Sequence, residues 1–135
     1  MRHLIAFILA LLSLSVQADT IGLHLGSVHS ESGFNNVNIG AYYRADSGTT
    51  VGAYCNSESR STRYPHAKRC QISAYAGYTA SAGPVSLTVG VITGYARGTM
   101  PMAVPSVEYK GWRVAYIPKV DPKSGAHVLH LMKEF

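Results

Sequence analysis

From Thr20 onward the chain alternates. Apolar residues recur at every second position in short runs, and the positions between them hold glycine, tyrosine, asparagine, serine and histidine. A period of two is the mark of a β-strand. One face collects Ile21, Leu23, Leu25, Ile39, Ala41, Tyr43, Val51, Ala53, Ala74, Ala76, Val85, Leu87, Val89, Val107, Val114, Leu129 and Leu131, with Lys133 as the one charge in phase. The other collects Gly22, His24, Gly26, Gly40, Tyr42, Arg44, Gly52, Tyr54, Ser73, Tyr75, Gly77, Ser86, Thr88, Gly90, Glu108, Arg113 and His130. A sheet that shows its second face to water carries lysine, glutamate and threonine there. Small residues interleaved with tyrosines suit instead the crowded polar lumen of a small closed barrel. The apolar face then meets hydrocarbon, where closure satisfies every backbone group.

Turn-forming clusters divide the alternation into eight strands, near residues 20–28, 36–45, 49–56, 71–80, 85–95, 102–109, 112–118 and 127–135. Three connections are short: Asp46-Ser47-Gly48, Ser81–Pro84 and Lys110-Gly111. The other four, near 29–35, 57–70, 96–101 and 119–126, are long. An even strand number with short turns at one end and long loops at the other is the layout of outer-membrane barrels, with both termini at the short-turn end. The three short turns pair Tyr43 with Val51, Ala80 with Val85 and Tyr109 with Trp112, so apolar residues oppose apolar ones. The last of these also sets Glu108 opposite Arg113 as a lumenal ion pair. Pro105 inside the sixth strand predicts a bulge or an early strand end. The fold class is all-β: a small antiparallel up-and-down barrel of about eight strands.

Residues 1–18 form a signal peptide, with Arg2 and His3 before an apolar run and Val16-Gln17-Ala18 as the cleavage site. That run is too short to cross a membrane as a helix. Residues 19–135 form a single domain. Removing the leader takes away one of the 12 basic residues and none of the 7 acidic ones, leaving a net charge of +4. Much of the excess lies in one segment, Arg60 to Arg69, between the two cysteines. An even cysteine count in an exported chain predicts a Cys55–Cys70 disulfide. No glycine-rich phosphate loop, zinc spacing or other cofactor motif is present, so neither a cofactor nor a metal is expected. Nucleic acid is not an expected partner of an exported chain of this modest charge.

The final run, Val128-Leu129-His130-Leu131-Met132-Lys133-Glu134-Phe135, ends on an aromatic residue and resembles the C-terminal signature of outer-membrane β-barrels. Lys133 occupies a position that is usually apolar in that signature. The resemblance implies a monomer in the outer membrane. The alternative location, for a soluble barrel with its apolar face inward, is the periplasm or the exterior. The expected function is that of a small envelope barrel acting through its outward loops without catalysis. Arg60, Arg63, Lys68 and Arg69 would engage lipopolysaccharide phosphates or a surface protein.

Two other functions are carried as alternatives: a lipid A acyl hydrolase or acyltransferase, and a soluble periplasmic binding domain. His24 and His130 face the lumen on strands that become neighbours when the barrel closes. The pair would bind a metal, act as a base beside Ser27 or Ser30, or simply satisfy lumenal hydrogen bonds. The stretch from His29 to Gly40 resembles, locally, the active-site strand of outer-membrane lipid A deacylases, which carry His-x-Ser-Asn and then Asn-Pro-Gly. Here Ser30 follows His29 directly, and Ile39 stands at the proline. The resemblance implies His29 as base, Ser30 or Ser32 as nucleophile and Glu31 as orienter. Palmitoyl-transferring barrels share the eight-stranded layout, but no motif here ties the chain to them.

Overall fold

A computed structural model describes residues 18–64, 66–120, 122–123 and 125–135. The proposed leader up to Gln17 lies outside the described residues. The chain forms one closed antiparallel barrel of eight strands in sequence order. They are β1 (Thr20–His29), β2 (Val37–Arg44), β3 (Thr49–Cys55), β4 (Ile72–Ala82), β5 (Val85–Tyr95), β6 (Gly98–Tyr109), β7 (Trp112–Ile117) and β8 (Val128–Glu134). β8 returns to β1, with Ser27 opposite His130 and Gly22 opposite Glu134. Among the described residues no strand edge is left to pair with a second chain.

The two faces fall as the alternation predicts. Leu23, Val89 and Leu131 point outward and are 40%, 42% and 40% exposed, whereas His24, Arg44, Arg113 and His130 are buried inside. The polar set is therefore the core. Its side chains interlock because glycine makes room for rings. A Cβ on Gly22 would lie 2.1 Å from Cζ of the Tyr42 ring, and one on Gly52 would lie 2.6 Å from the Tyr75 hydroxyl. Tyr42, Ala115 and Met132 pack across the centre, with Tyr75 and Val104 against them.

The turns set the register. Gly48 takes a positive φ of 95° in the β2–β3 turn and keeps Tyr43 opposite Val51. Lys110 and Gly111, at φ of 49° and 75°, make the two-residue β6–β7 turn that joins Tyr109 to Trp112. Positive φ at both positions gives the turn a twist that matches the flanking strands. Asp19 pins the start of the barrel to the β2–β3 turn. It accepts the Tyr43 hydroxyl at 2.8 Å and the Asp46 amide at 2.9 Å. Those two bonds, the tyrosine's first, hold its carboxyl below the usual carboxylate range.

The structure corrects four expectations. The β4–β5 turn is Gly83-Pro84 rather than Ser81–Pro84, so Ala82 opposes Val85 and Ala80 opposes Leu87. The difference is two residues, so the faces are unchanged. The fifth connection is not a long loop over 96–101, because Tyr95 pairs with Gly98 across Ala96-Arg97. β6 runs unbroken through Pro101 and Pro105, with no bulge at Pro105. Glu108 donates its amide to Pro84 O on the β5 side at 2.7 Å. By alternation, even-numbered residues of β6 turn their amides toward β5, and the odd-numbered prolines face β7. The β6–β7 ladder stops at Ser106–Ala115, so the prolines remove little pairing. Finally, a bulge between His24 and Gly26 shifts β1 by one residue. Beyond it Ser27 is buried and Val28 is 67% exposed, the reverse of what uninterrupted alternation gives.

Candidate functional site

Three layers occupy the lumen. At the turn end lie two arginines and two glutamates. Arg44 Nη1 is 2.8 Å from Glu108 Oε1 and 3.3 Å from Glu134 Oε1. Arg113 reaches Glu108 Oε1 at 3.6 Å through Nε and Glu134 Oε1 at 3.5 Å through Nη1. Glu108 and Arg113 are cross-strand partners, as expected, but Arg44 holds Glu108 more closely. The charges balance, and hydroxyls enclose them. Arg113 donates to Ser106 Oγ at 2.9 Å and Thr88 Oγ1 at 3.0 Å. Tyr42 donates to Glu134. Arg44 was visible as an inward-phase residue and Glu134 was not singled out, and only closure of the barrel shows which partners they meet.

The second layer holds the two histidines. His24 Nδ1 and His130 Nε2 lie 2.9 Å apart, and His24 Nε2 is 3.0 Å from the Tyr75 hydroxyl. Tyr54 packs against both rings. The predicted juxtaposition of His24 and His130 is therefore real. Ser27 lies across from His130 on the sheet, but its hydroxyl donates to Asn38. Among the described residues, no cluster of three or more histidines, cysteines or carboxylates is placed to hold a metal.

The third layer is a cap made by the loops, with the β1–β2 loop at its centre. The β3–β4 loop docks on it. Asn35 N donates to Ser57 O at 2.9 Å, Thr62 N and Ser61 Oγ both donate to Gly33 O, and Arg63 donates to Ser32 O at 3.0 Å. Arg63 also lies 4.9 Å over the Phe34 ring. On the other side, Ser30 and His127 exchange two hydrogen bonds, and Lys119 meets Glu31 at 3.4 Å. Ala96 N donates to Glu58 Oε2 at 2.9 Å and ties in the β5–β6 turn. A Cys55–Cys70 disulfide closes the base of the β3–β4 loop. In the chain-entropy account, a loop of that length contributes about 3 kcal/mol. Burial raises the pKa of the Tyr64 phenol in this loop, with the Glu58 charge adding to it.

The sequence-derived candidates thus divide. Arg63 is committed to the cap. Arg60, Lys68 and Arg69 are exposed on its outer side, with Arg60 N bonded to Lys68 O at 2.9 Å. His29 donates from Nδ1 to Asn36 Oδ1 at 2.7 Å and stacks on Phe34. That leaves Nε2 as its lone-pair nitrogen, buried and without a hydrogen-bond partner. Ser30 does not reach it, since Nε2 has no hydrogen-bond partner, and the Ser30 hydroxyl accepts the His127 amide at 3.0 Å. Ser57, with Ser61, is brought against this loop by the β3–β4 loop, but through its backbone carbonyl, while its side chain bonds to Tyr95. Ser57 lies 28 residues from His29, and nothing in the local pattern marks it. No protein-family model and no curated protein matches the chain.

Proposed function

We propose that this protein is a monomeric outer-membrane barrel that works through its loop cap, binding lipopolysaccharide phosphates with Arg60, Lys68 and Arg69. The observation that carries the reading is the inverted distribution of polarity. Two arginines, two glutamates and two histidines lie inside a closed sheet whose outer wall is aliphatic. Water gives no reason for that arrangement, and hydrocarbon does. The lumen is filled by side chains bonded to one another, which leaves the loop end as the working surface. Three exposed cations there match the phosphate-rich outer leaflet.

Binding of purified lipopolysaccharide to the protein in detergent is the test. The triple variant Arg60→Ser, Lys68→Ser, Arg69→Ser is expected to bind at least about tenfold more weakly, since each charge-assisted contact contributes about 1 kcal/mol after screening. Native affinity should fall with added salt. Unchanged affinity in the variant would reject the loop as the binding element.

One observation favours a second reading, acyl chemistry on lipid A. His29, with Nδ1 held by Asn36 and Nε2 free, has the arrangement of a general base supported by an orienting group. In that role it takes a proton from a water whose oxygen attacks an ester carbonyl, and passes it to the departing alkoxide, so that the sugar hydroxyl and the free fatty acid are the products. Mass spectrometry of lipid A from cells expressing the native protein would show an altered acyl number. His29→Ala would abolish the change. An acyl pattern that is the same with and without the protein leaves the binding reading alone.

A further inference from the structure

Lys133 is the one charge on the outer wall in phase with the apolar set, and its surroundings explain it. Its Nζ lies 5.0 Å from the Trp112 ring centroid and 5.7 Å from that of Phe135. It also donates to Lys110 O at 3.4 Å. The missing side chain at Gly111 leaves room for it, because a Cβ there would stand 2.7 Å from the ammonium. Lys110, on the same turn, sets its own Nζ 5.3 Å over Tyr109. The result is two ammonium groups framed by three exposed aromatic rings at the turn end of the barrel. Among the described residues, neither lysine has a carboxylate partner, since Glu108 and Glu134 turn inward to Arg44 and Arg113.

We infer that Lys110 and Lys133, with Tyr109, Trp112 and Phe135, form a binding site for the headgroup of an anionic phospholipid in the turn-side leaflet. The inference rests on the membrane reading above. Aromatic rings of this kind settle at the headgroup level, and lysines there extend along the apolar wall to reach phosphate. Among the described residues these two positive charges have no counter-ion, and an anion completes the site. A phosphodiester that carries no amine supplies a full one, whereas a zwitterionic headgroup brings its own ammonium and is repelled in part. Each lysine near an anionic surface favours it about fivefold, so the pair selects an anionic over a zwitterionic lipid by on the order of tenfold or more.

Trp112 is the only tryptophan in the chain and lies in the site, so it reports directly. The protein is folded into vesicles of equal parts phosphatidylglycerol and phosphatidylcholine, with bromine on the acyl chains of one lipid or the other. Brominated phosphatidylglycerol is expected to quench Trp112 clearly more than brominated phosphatidylcholine. The difference should shrink in high salt and vanish in Lys110→Ser with Lys133→Met. Equal quenching of the native protein by both lipids overturns the headgroup site and leaves the membrane reading intact. No quenching by either overturns the membrane reading itself. The native comparison decides the matter even where the double variant does not fold.

Discussion

Arg44→Met is expected to destabilise the barrel by about 3–5 kcal/mol, the cost of breaking a buried charge cluster by removing one member. Arg44 is 2% exposed and touches both lumenal glutamates. Without it, Glu108 and Glu134 share Arg113 alone, at 3.5–3.6 Å, and one largely buried carboxylate charge loses its counter-ion. The measurement is equilibrium unfolding in urea in a lipid or detergent host, followed by Trp112 fluorescence. The discriminating variant is Arg44→Met with Glu134→Gln. It restores charge balance, and the glutamine oxygen can still accept the Tyr42 hydroxyl that Glu134 accepts now. If the penalty is electrostatic, the pair recovers more than half of the loss, a coupling of the size seen between residues in one ionic network. If Arg44 matters only as packing volume, the second substitution adds to the loss and the electrostatic account fails.

Much of this fold is legible in the sequence because a closed barrel is a local object. Period-two alternation fixes which face each residue takes, and a turn such as Lys110-Gly111 fixes what stands opposite it. Tyr43 with Val51 and Glu108 with Arg113 follow from those two facts alone. The misses have a different origin. The bulge between His24 and Gly26 adds one residue to β1 relative to β8 without any turn cluster to announce it, so Ser27 and Val28 exchange faces. Pro105 reads as a strand breaker because Pro lacks an amide hydrogen. Which neighbour that missing donor would have served depends on where β7 ends, and β6 alone does not tell. The candidate site shows the same division. His24 and His130 meet because any eight-stranded meander brings its first and last strands together. The docking of Arg63 on Ser32 and Phe34, and the approach of Ser57 to Asn35, join loops that no periodicity relates. A reading of Arg63 as a free ligand-binding cation therefore had no local signal against it.

A single outward substitution at two depths separates the bilayer from water as the medium around the wall. Val89 lies in the middle of β5, between Tyr78 and Ala103 on its neighbours, and Val85 begins the same strand at the turn end. Both side chains are exposed, so arginine at either position meets no protein atom that valine did not already face outward from. In water, such surface changes stay within about 0.5 kcal/mol of neutral at both positions. In a bilayer, Val89→Arg is expected to cost about 2–4 kcal/mol and Val85→Arg about 0–1 kcal/mol, because the penalty for a charge on a barrel wall falls from the midplane to the interface. The wall is thin enough to make the contrast sharp. Eight residues of β2, rising ~3.4 Å each and tilted by about 40°, span roughly 20 Å along the membrane normal. That is somewhat less than the ~25 Å apolar band of outer-membrane barrels, so in a bilayer only mid-strand positions would lie far from headgroups. Unfolding titrations of the two variants in phospholipid vesicles give the comparison, with Val120→Arg in the exposed β7–β8 loop as the neutral control. A large loss at Val89 alone is a gradient that solvent exposure cannot produce, since Val85, at 53%, is the more exposed of the two wall positions. Equal and small effects at both would place water against the wall, and the reason for an aliphatic exterior around a charged interior would have to be found elsewhere.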